Sequence, residues 1–378
     1  MRIGIITLPP LCNFGGIIQS YALQKTLQKA GHQVVLIDFP NEWNIKNPQK
    51  ALLYLTRFFK KYILRKPITI KIDKKYNHDL QLITQNTSKF INKYIQRIVI
   101  SDFSELRPSQ FDALVVGSDQ IWRPKYFNRA IENAYLSFAK DWKIKRISYA
   151  ASFGTDKWEY TPEQTATCSQ LLQLFDGVSV REDSGIKLCN KYLKSNAIQV
   201  LDPTMLLEKD DYISLIEAAN IPQSPGDLFC YILDKTPEKD EIISQLSKHY
   251  HLTSFEVNAK YNDPNAKIEE RIQPAVEQWL RAFYDAKLIF TDSFHACVFS
   301  IIFNKPFIVF GNKERGMSRF DSLLEMFELK ERLILVPEDI IKVVNYPINW
   351  DKITAKLLTM QQQSLTFLHT HLNENSTN

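Results

Sequence analysis

Runs of β-branched and other apolar residues recur along the first half of the chain, separated by stretches where apolar side chains return at helical spacing. That alternation predicts a parallel sheet covered by helices on both faces. The runs predict strands over residues 2–8, 34–39, 113–117, 146–150, 177–180 and 197–201. Between the first two, Ile17, Ile18, Tyr21, Ala22 and Leu27 mark a helix over 17–30 that Gly31 ends, making one βαβ unit. After Asp202-Pro203-Thr204 and a polar, proline-bearing passage over 221–226, a second, smaller set of strands is predicted over 228–233, 252–257, 287–291 and 306–310. The fold class is therefore α/β, with two domains facing a cleft. The first is expected over 1–205 and the second over 206–346. The segment 347–378 is expected to hold a long helix over 350–371 that crosses back to the first domain, followed by a polar tail.

Composition narrows this picture. With 378 residues, 44% hydrophobic and 24% charged, both domains can bury a core. The opening run breaks at Pro9 and Pro10 and has no small-residue cleavage site, so it reads as a buried strand. The longest apolar stretch, 296–303, is too short to span a bilayer. Five scattered cysteines without a Cys-x-x-Cys pair point to a reducing, cytoplasmic compartment and away from structural zinc. A net charge of +5, evenly spread, does not point to nucleic acid.

One stretch departs from that even spread. Arg57, Lys60, Lys61, Arg65, Lys66, Lys71, Lys74 and Lys75 stand against the single acid Asp73, while Leu55, Phe58, Phe59, Tyr62 and Ile63 recur at helical spacing. Such an amphipathic basic helix either packs its apolar stripe on the core or places residues 52–75 against an anionic membrane at the inner face of the cell.

Candidate chemistry lies where strands run into helices, since ligands of open α/β sheets bind beyond the carboxyl ends of the strands. Asn13, Phe14 and Gly15 open the first helix, whose free amides suit an anion or a sugar hydroxyl. Asp38 ends the second strand, but no G-x-G-x-x-G precedes it, which argues against a dinucleotide. Ser118, Asp119, Gln120 and Trp122 bring small, carboxylate, amide and aromatic groups to one edge. That set suits a saccharide, and Ser118 or Asp119 could equally cap a helix. Arg181 follows a buried strand, either paired with Glu182 or another acid, or kept to grip a carboxylate or phosphate. Asp292, Ser293, Phe294 and His295 turn a strand into an apolar helix. His295 lies within the first turn of that helix, at a sheet's carboxyl edge, where it is placed to accept a proton. Cys297, two residues on, projects to another face and reads as core.

The segments NFGGIIQSYALQ, DALVVGSDQIW, SYAASFG, VSVREDSG, LDPTMLL and TDSFHACVFSIIFNKPFIVF together resemble the successive motifs of the polysaccharide pyruvyl transferases, in family order from Gly4 to Asp321. The resemblance implies two Rossmann-like domains facing a cleft in a GT-B-like arrangement, phosphoenolpyruvate as co-substrate, no cofactor, no metal, and transfer of a pyruvyl group to a saccharide, free or lipid-linked, in surface polysaccharide synthesis. By motif, Arg181 matches the family's donor-binding arginine and His295 its C-terminal histidine. Ser293 and Phe294 stand where many members carry arginine and leucine. Lys305, Lys313, Arg315 and Arg319 are candidate replacements for the missing cation, Arg319 first by topology. His295, with Asp119 or Asp292, is expected to move protons. Asn13, Phe14, Gly15, Ser118, Asp119, Gln120, Trp122 and Ser152 are expected on the acceptor side. A nucleotide-sugar glycosyltransferase of the same architecture and a non-catalytic saccharide-binding subunit are the alternatives.

Overall fold

The computed structural model describes residues 1–40, 47–65, 69–311, 316–340, 343 and 346–373. In the first domain the strands are β1 (Arg2–Ile6), β2 (Gln33–Asp38), β3 (Arg97–Val99), β4 (Ala113–Val116), β5 (Lys145–Ala151), β6 (Gly177–Val180) and β7 (Ile198–Gln199). The helices among them are α1 (Phe14–Lys29), α2 (Asn47–Tyr62), α3 (Ile72–Ile83), α4 (Gln85–Tyr94), α5 (Pro162–Leu172) and α6 (Asp183–Leu193). All neighbouring strands pair in parallel in the order β3-β2-β1-β4-β5-β6-β7. The strand order reverses between β1 and β4, which opens a crevice at their carboxyl ends.

The second domain follows α7 (Lys209–Ala218) and comprises β8 (Leu228–Tyr231), α8 (Pro237–Tyr250), β9 (Ser254–Phe255), α9 (Ile268–Arg271), α10 (Val276–Asp285), β10 (Leu288–Thr291), α11 (Phe294–Ile302), β11 (Phe307–Phe310), α12 (Ser318–Met326) and β12 (Leu333–Ile334). Its parallel sheet runs β12-β11-β10-β8-β9, with its reversal between β8 and β10. The last helix, α13 (Trp350–Asn373), lies against the first sheet: Ser364 accepts from the Leu201 amide at 3.1 Å, and Gln361 donates to the Met205 carbonyl at 2.7 Å.

Several element limits differ from the sequence pattern, for local reasons. Helix α1 starts at Phe14 because the Asn13 side chain accepts from the Gly16 amide; glycines carry no apolar signal that would reveal that first turn. Strand β7 stops at Gln199 because Leu201 leaves the ladder to meet α13. Strands β3 and β12 were not anticipated, being too short for alternation to register.

Phe14 ties the domains together. It is fully buried and stacks on Trp279 of the second domain, ring centroids 5.5 Å apart, with Tyr231 at 6.3 Å. Each such pair contributes about 0.5–1.5 kcal/mol beyond its buried area. One apolar core thus runs from β1 and α1 into α10 and α11. Gln273 reinforces the junction, donating through Nε2 to the Cys12 carbonyl and through its amide to the Ile83 carbonyl.

Helix α2 does not pack its apolar stripe on the core. Leu55, Phe58, Phe59, Tyr62 and Ile63 are all more than half exposed, because the helix is held through its other face. There the Arg57 side chain donates to the Thr69 carbonyl, and at the stripe's flank Tyr54 donates to Asp73. Lys66 of the basic stretch and most of the polar tail lie outside the described residues.

Candidate active site

The two crevices face each other and enclose a cleft of about 580 Å³. From the first domain Asn13, Asp119, Gln120 and Tyr126 line it. From the second come Asp292, Ser293, Phe294, His295, Arg319 and Phe320, together with a polar wall from Lys235, Glu256 and residues 258–263 and 270.

Asp119 follows β4 in the left-handed region, at φ 65°, a conformation that aspartate tolerates better than most side chains. Its carboxylate meets Arg181, which emerges from β6, at 3.3 Å. The same guanidinium bonds Asp202, just past β7, at 2.8 Å. Burial opposes charge on all three groups and is outweighed, at Arg181 by Asp202 and Asp119, at Asp119 by Arg181 and His295, and at Asp202 by His295 and Arg181: Arg181 is held charged, and both aspartates keep carboxyls below the usual range. Asp202 is the hub. It accepts from the Ser118 hydroxyl at 3.3 Å and from the Thr204 amide and hydroxyl, and it lies 3.6 Å from His295 Nε2.

His295 reaches this hub from the opposite domain because Gly15 lets it pass. A Cβ at Gly15 would stand 2.1 Å from His295 Nδ1. Ser293 is the first residue before α11; its side chain makes no capping bond, and it lines the cleft together with Phe294 and His295. Phe294 carries two guanidiniums near its ring, Arg181 at 4.5 Å and Arg319 at 5.7 Å.

Arg319, at the start of α12, differs from Arg181 in having no hydrogen-bond partner among the described residues, and its Nε is buried. Burial pushes its pKa down to about 10, and repulsion from Arg181 adds to the shift. The loop before it approaches the first domain closely. Gly316 adopts φ +91°, and a Cβ there would meet the Gly154 carbonyl oxygen at 2.5 Å. Only glycine satisfies both the conformation and the contact.

The structure therefore brings together Asn13, Asp119, Gln120, Ser293, Phe294, His295 and Arg319 on the cleft, with Arg181 directly behind. Other expected site residues serve the frame. Trp122 is fully buried, stacked on Tyr135 and donating to the Ala134 carbonyl, and Phe14 is core, since both offered more apolar surface than a polar edge can leave in water. Gly15 acts through its missing side chain. Ser118 orients Asp202. Ser152 donates to Glu182, which also accepts the Phe153 and Gly154 amides, so this carboxylate shapes a loop and leaves Arg181 to Asp119 and Asp202. Asp292 lines the cleft but accepts from the Leu233 and Asp234 amides and from buried Lys239, bracing the β8–α8 turn across the second crevice. Lys305 is turned away to the Tyr284 carbonyl, and Lys313 and Arg315 lie outside the described residues. Cys297 is buried core, its thiol pushed up by desolvation.

The LDPTMLL segment carries no local sign of the role of Asp202, and the chain around the wall at 256–263 carries almost none of its own. Its one available signal was a polar run directly after a strand of the second sheet. Among the described residues no cluster of three or more histidine, cysteine or acidic side chains is arranged to hold a metal ion, and no helix is long and apolar enough to cross a membrane.

A family model described as polysaccharide pyruvyl transferase matches residues 13–314. No curated protein matches the chain. Among solved structures, a glycosyltransferase from Rickettsia africae superposes with a TM-score of 0.54 at 11% identity, covering 99% of each chain. A putative UDP-N-acetylglucosamine 2-epimerase from Listeria monocytogenes gives 0.53 at 11% identity, covering 100% of this chain and 98% of that one. The UDP-GlcNAc 2-epimerase from Neisseria meningitidis gives 0.50 at 12% identity, covering 99% of this chain and 100% of that one. At these identities the likeness is one of fold, the two-domain GT-B type.

Proposed function

The chain belongs to the polysaccharide pyruvyl transferase family, and from that membership and the geometry of the cleft we propose that it transfers a pyruvyl group from phosphoenolpyruvate to two hydroxyls of a saccharide, forming a cyclic ketal and releasing phosphate. The observation that carries this reading is Arg319: a guanidinium without a hydrogen-bond partner among the described residues, on the same cleft as the N-terminus of α11 and His295. A cation so placed is costly until an anion arrives, and phosphoenolpyruvate brings two anionic groups.

In this reading Arg319 and the leading amides of α11 hold the donor's carboxylate and phosphate. Arg181, already spoken for by Asp119 and Asp202, adds positive potential from behind Phe294. The enol carbon takes a proton, and a sugar hydroxyl attacks the cationic centre and gives up its own proton. Phosphate then leaves, and the second hydroxyl closes the ring with loss of another proton. His295 serves these transfers as acid and base, with Asp119 as the carboxylate partner on the cleft wall. The polar wall of Lys235, Glu256, Asn258, Lys260 and Glu270 offers the donors and acceptors a saccharide needs, opposite Asn13 and Gln120.

Thermal shift tests the donor assignment. Phosphoenolpyruvate should raise the melting temperature, and a nucleotide sugar should not. Phosphate released from phosphoenolpyruvate only when a saccharide acceptor is added would complete the case. A shift with a nucleotide sugar alone would move the reading to glycosyl transfer, and a shift with neither would leave a saccharide-binding subunit.

A further inference from the structure

Helix α2 stands out because its most apolar face is its most exposed one. Leu52, Leu55, Phe58, Phe59 and Tyr62 are each more than half exposed. At about 100° per residue they fall within an arc of about 120°. Arg57, on the opposite face, is tethered to the Thr69 carbonyl, and Tyr54, at the flank of the arc, to Asp73. Lys60 and Lys61 flank the apolar arc on either side, and Arg65 follows the helix end. The chain thus fastens the polar side of an amphipathic helix to itself and turns the greasy side outward.

We propose that α2 is an interfacial anchor that lies in the surface of a bilayer rich in anionic lipid, with its aromatic and leucine face in the acyl boundary and its lysines on the headgroup phosphates. Charge selects this occupant. Lys60, Lys61, Arg65, Lys71, Lys74 and Lys75 crowd one segment in which Asp73 is buried and engaged by Tyr54, so the local field is cationic beside an apolar face. A second copy of the chain would bring the same cations into mutual repulsion, whereas lipid phosphates neutralise them. Helix α2 is not isolated from the cleft. It is fastened to α3, whose end pairs with the second domain through the Ile83 carbonyl and the Gln273 amide, and Asp79 of α3 lies 3.9 Å from Arg271 of α9, next to cleft residue Glu270. Docking would bring that rim toward the membrane and favour a lipid-carried saccharide. This consequence rests on the pyruvyl-transfer reading, whereas vesicle binding does not.

Co-sedimentation of the whole chain with phosphatidylcholine vesicles, with and without phosphatidylglycerol, tests the anchor. Binding is expected only with the anionic lipid and should weaken with salt. Replacing Lys60, Lys61 and Arg65 together by glutamine should lower partition on the order of a hundredfold at low salt. Phe58→Ser with Phe59→Ser should lower it by a similar factor. Both variants should melt with the wild type, since the replaced side chains are exposed. No binding by wild type, or equal binding by wild type and both variants, overturns the proposal. So does self-association that the phenylalanine changes abolish while vesicles are ignored.

Discussion

Nε2 of His295 lies 3.6 Å from Oδ2 of Asp202, although one residue sits in the first turn of a helix of the second domain and the other lies just past β7 of the first sheet. The imidazole is therefore positioned by the domain it faces. Gly15, also on the first domain, sets how near the ring can come.

His295→Asn should leave the protein folded and donor affinity largely intact while kcat falls roughly 10²-fold or more, the usual worth of a placed acid or base. Stopped phosphate-release assays with a melting curve on the same preparation check it. Normal turnover would return His295 to the role of an ordinary buried histidine.

Gly15→Ala should mimic that loss, because the new Cβ needs the volume that the His295 ring occupies. In a double-mutant cycle with His295→Ala the two changes should be far from additive: once the ring is gone, the alanine methyl costs little and favours the helix. Additive losses of activity would sink the positioning argument.

Arg319→Gln should raise the donor KM on the order of ten- to a hundredfold, the worth of a lost charge-assisted pair. Without donor the same variant should melt higher than wild type. The folded state holds this guanidinium at a depressed pKa of about 10, so its charge opposes folding throughout the neutral range, and removing it relieves that cost. Arg181→Lys should behave in the opposite way and lower the melting temperature, since an ammonium cannot bridge Asp119 and Asp202 with a planar fork.

Asp202→Asn should cost about 3–5 kcal/mol of stability, because it strips buried Arg181 of its shorter ion pair. The pH dependence follows from the direction of the shift. The folded-state pKa of Asp202 lies below its unfolded value of about 4, so its contribution is complete above about pH 4 and is lost as pH falls through the depressed value. Denaturant titrations should show a constant gap between wild type and variant from about pH 7 to about pH 5, narrowing below about pH 4.

The alternation of apolar runs and helical stretches determined two parallel α/β layers and the loops that carry chemistry, because strand and helix periods are local properties that each segment expresses alone. The motifs around Arg181 and His295 were legible for the same reason: each sits at a strand end that the pattern locates. What the chain pattern could not decide was partnership. Whether Arg181 meets a ligand or an acid depended on where β4 and β7 end relative to β6, and the answer, Asp119 and Asp202, comes from residues far apart in sequence. Trp122 and Phe14 stood among polar site candidates, yet tertiary packing drew them into the core, since burying a large ring stabilises more than leaving it at a wet edge. Helix α2 went the other way. Its stripe has the period of a core-facing helix, and periodicity says which residues share a face but not what that face meets; only the tethering of Arg57 on the opposite side and of Tyr54 at the flank turned it outward.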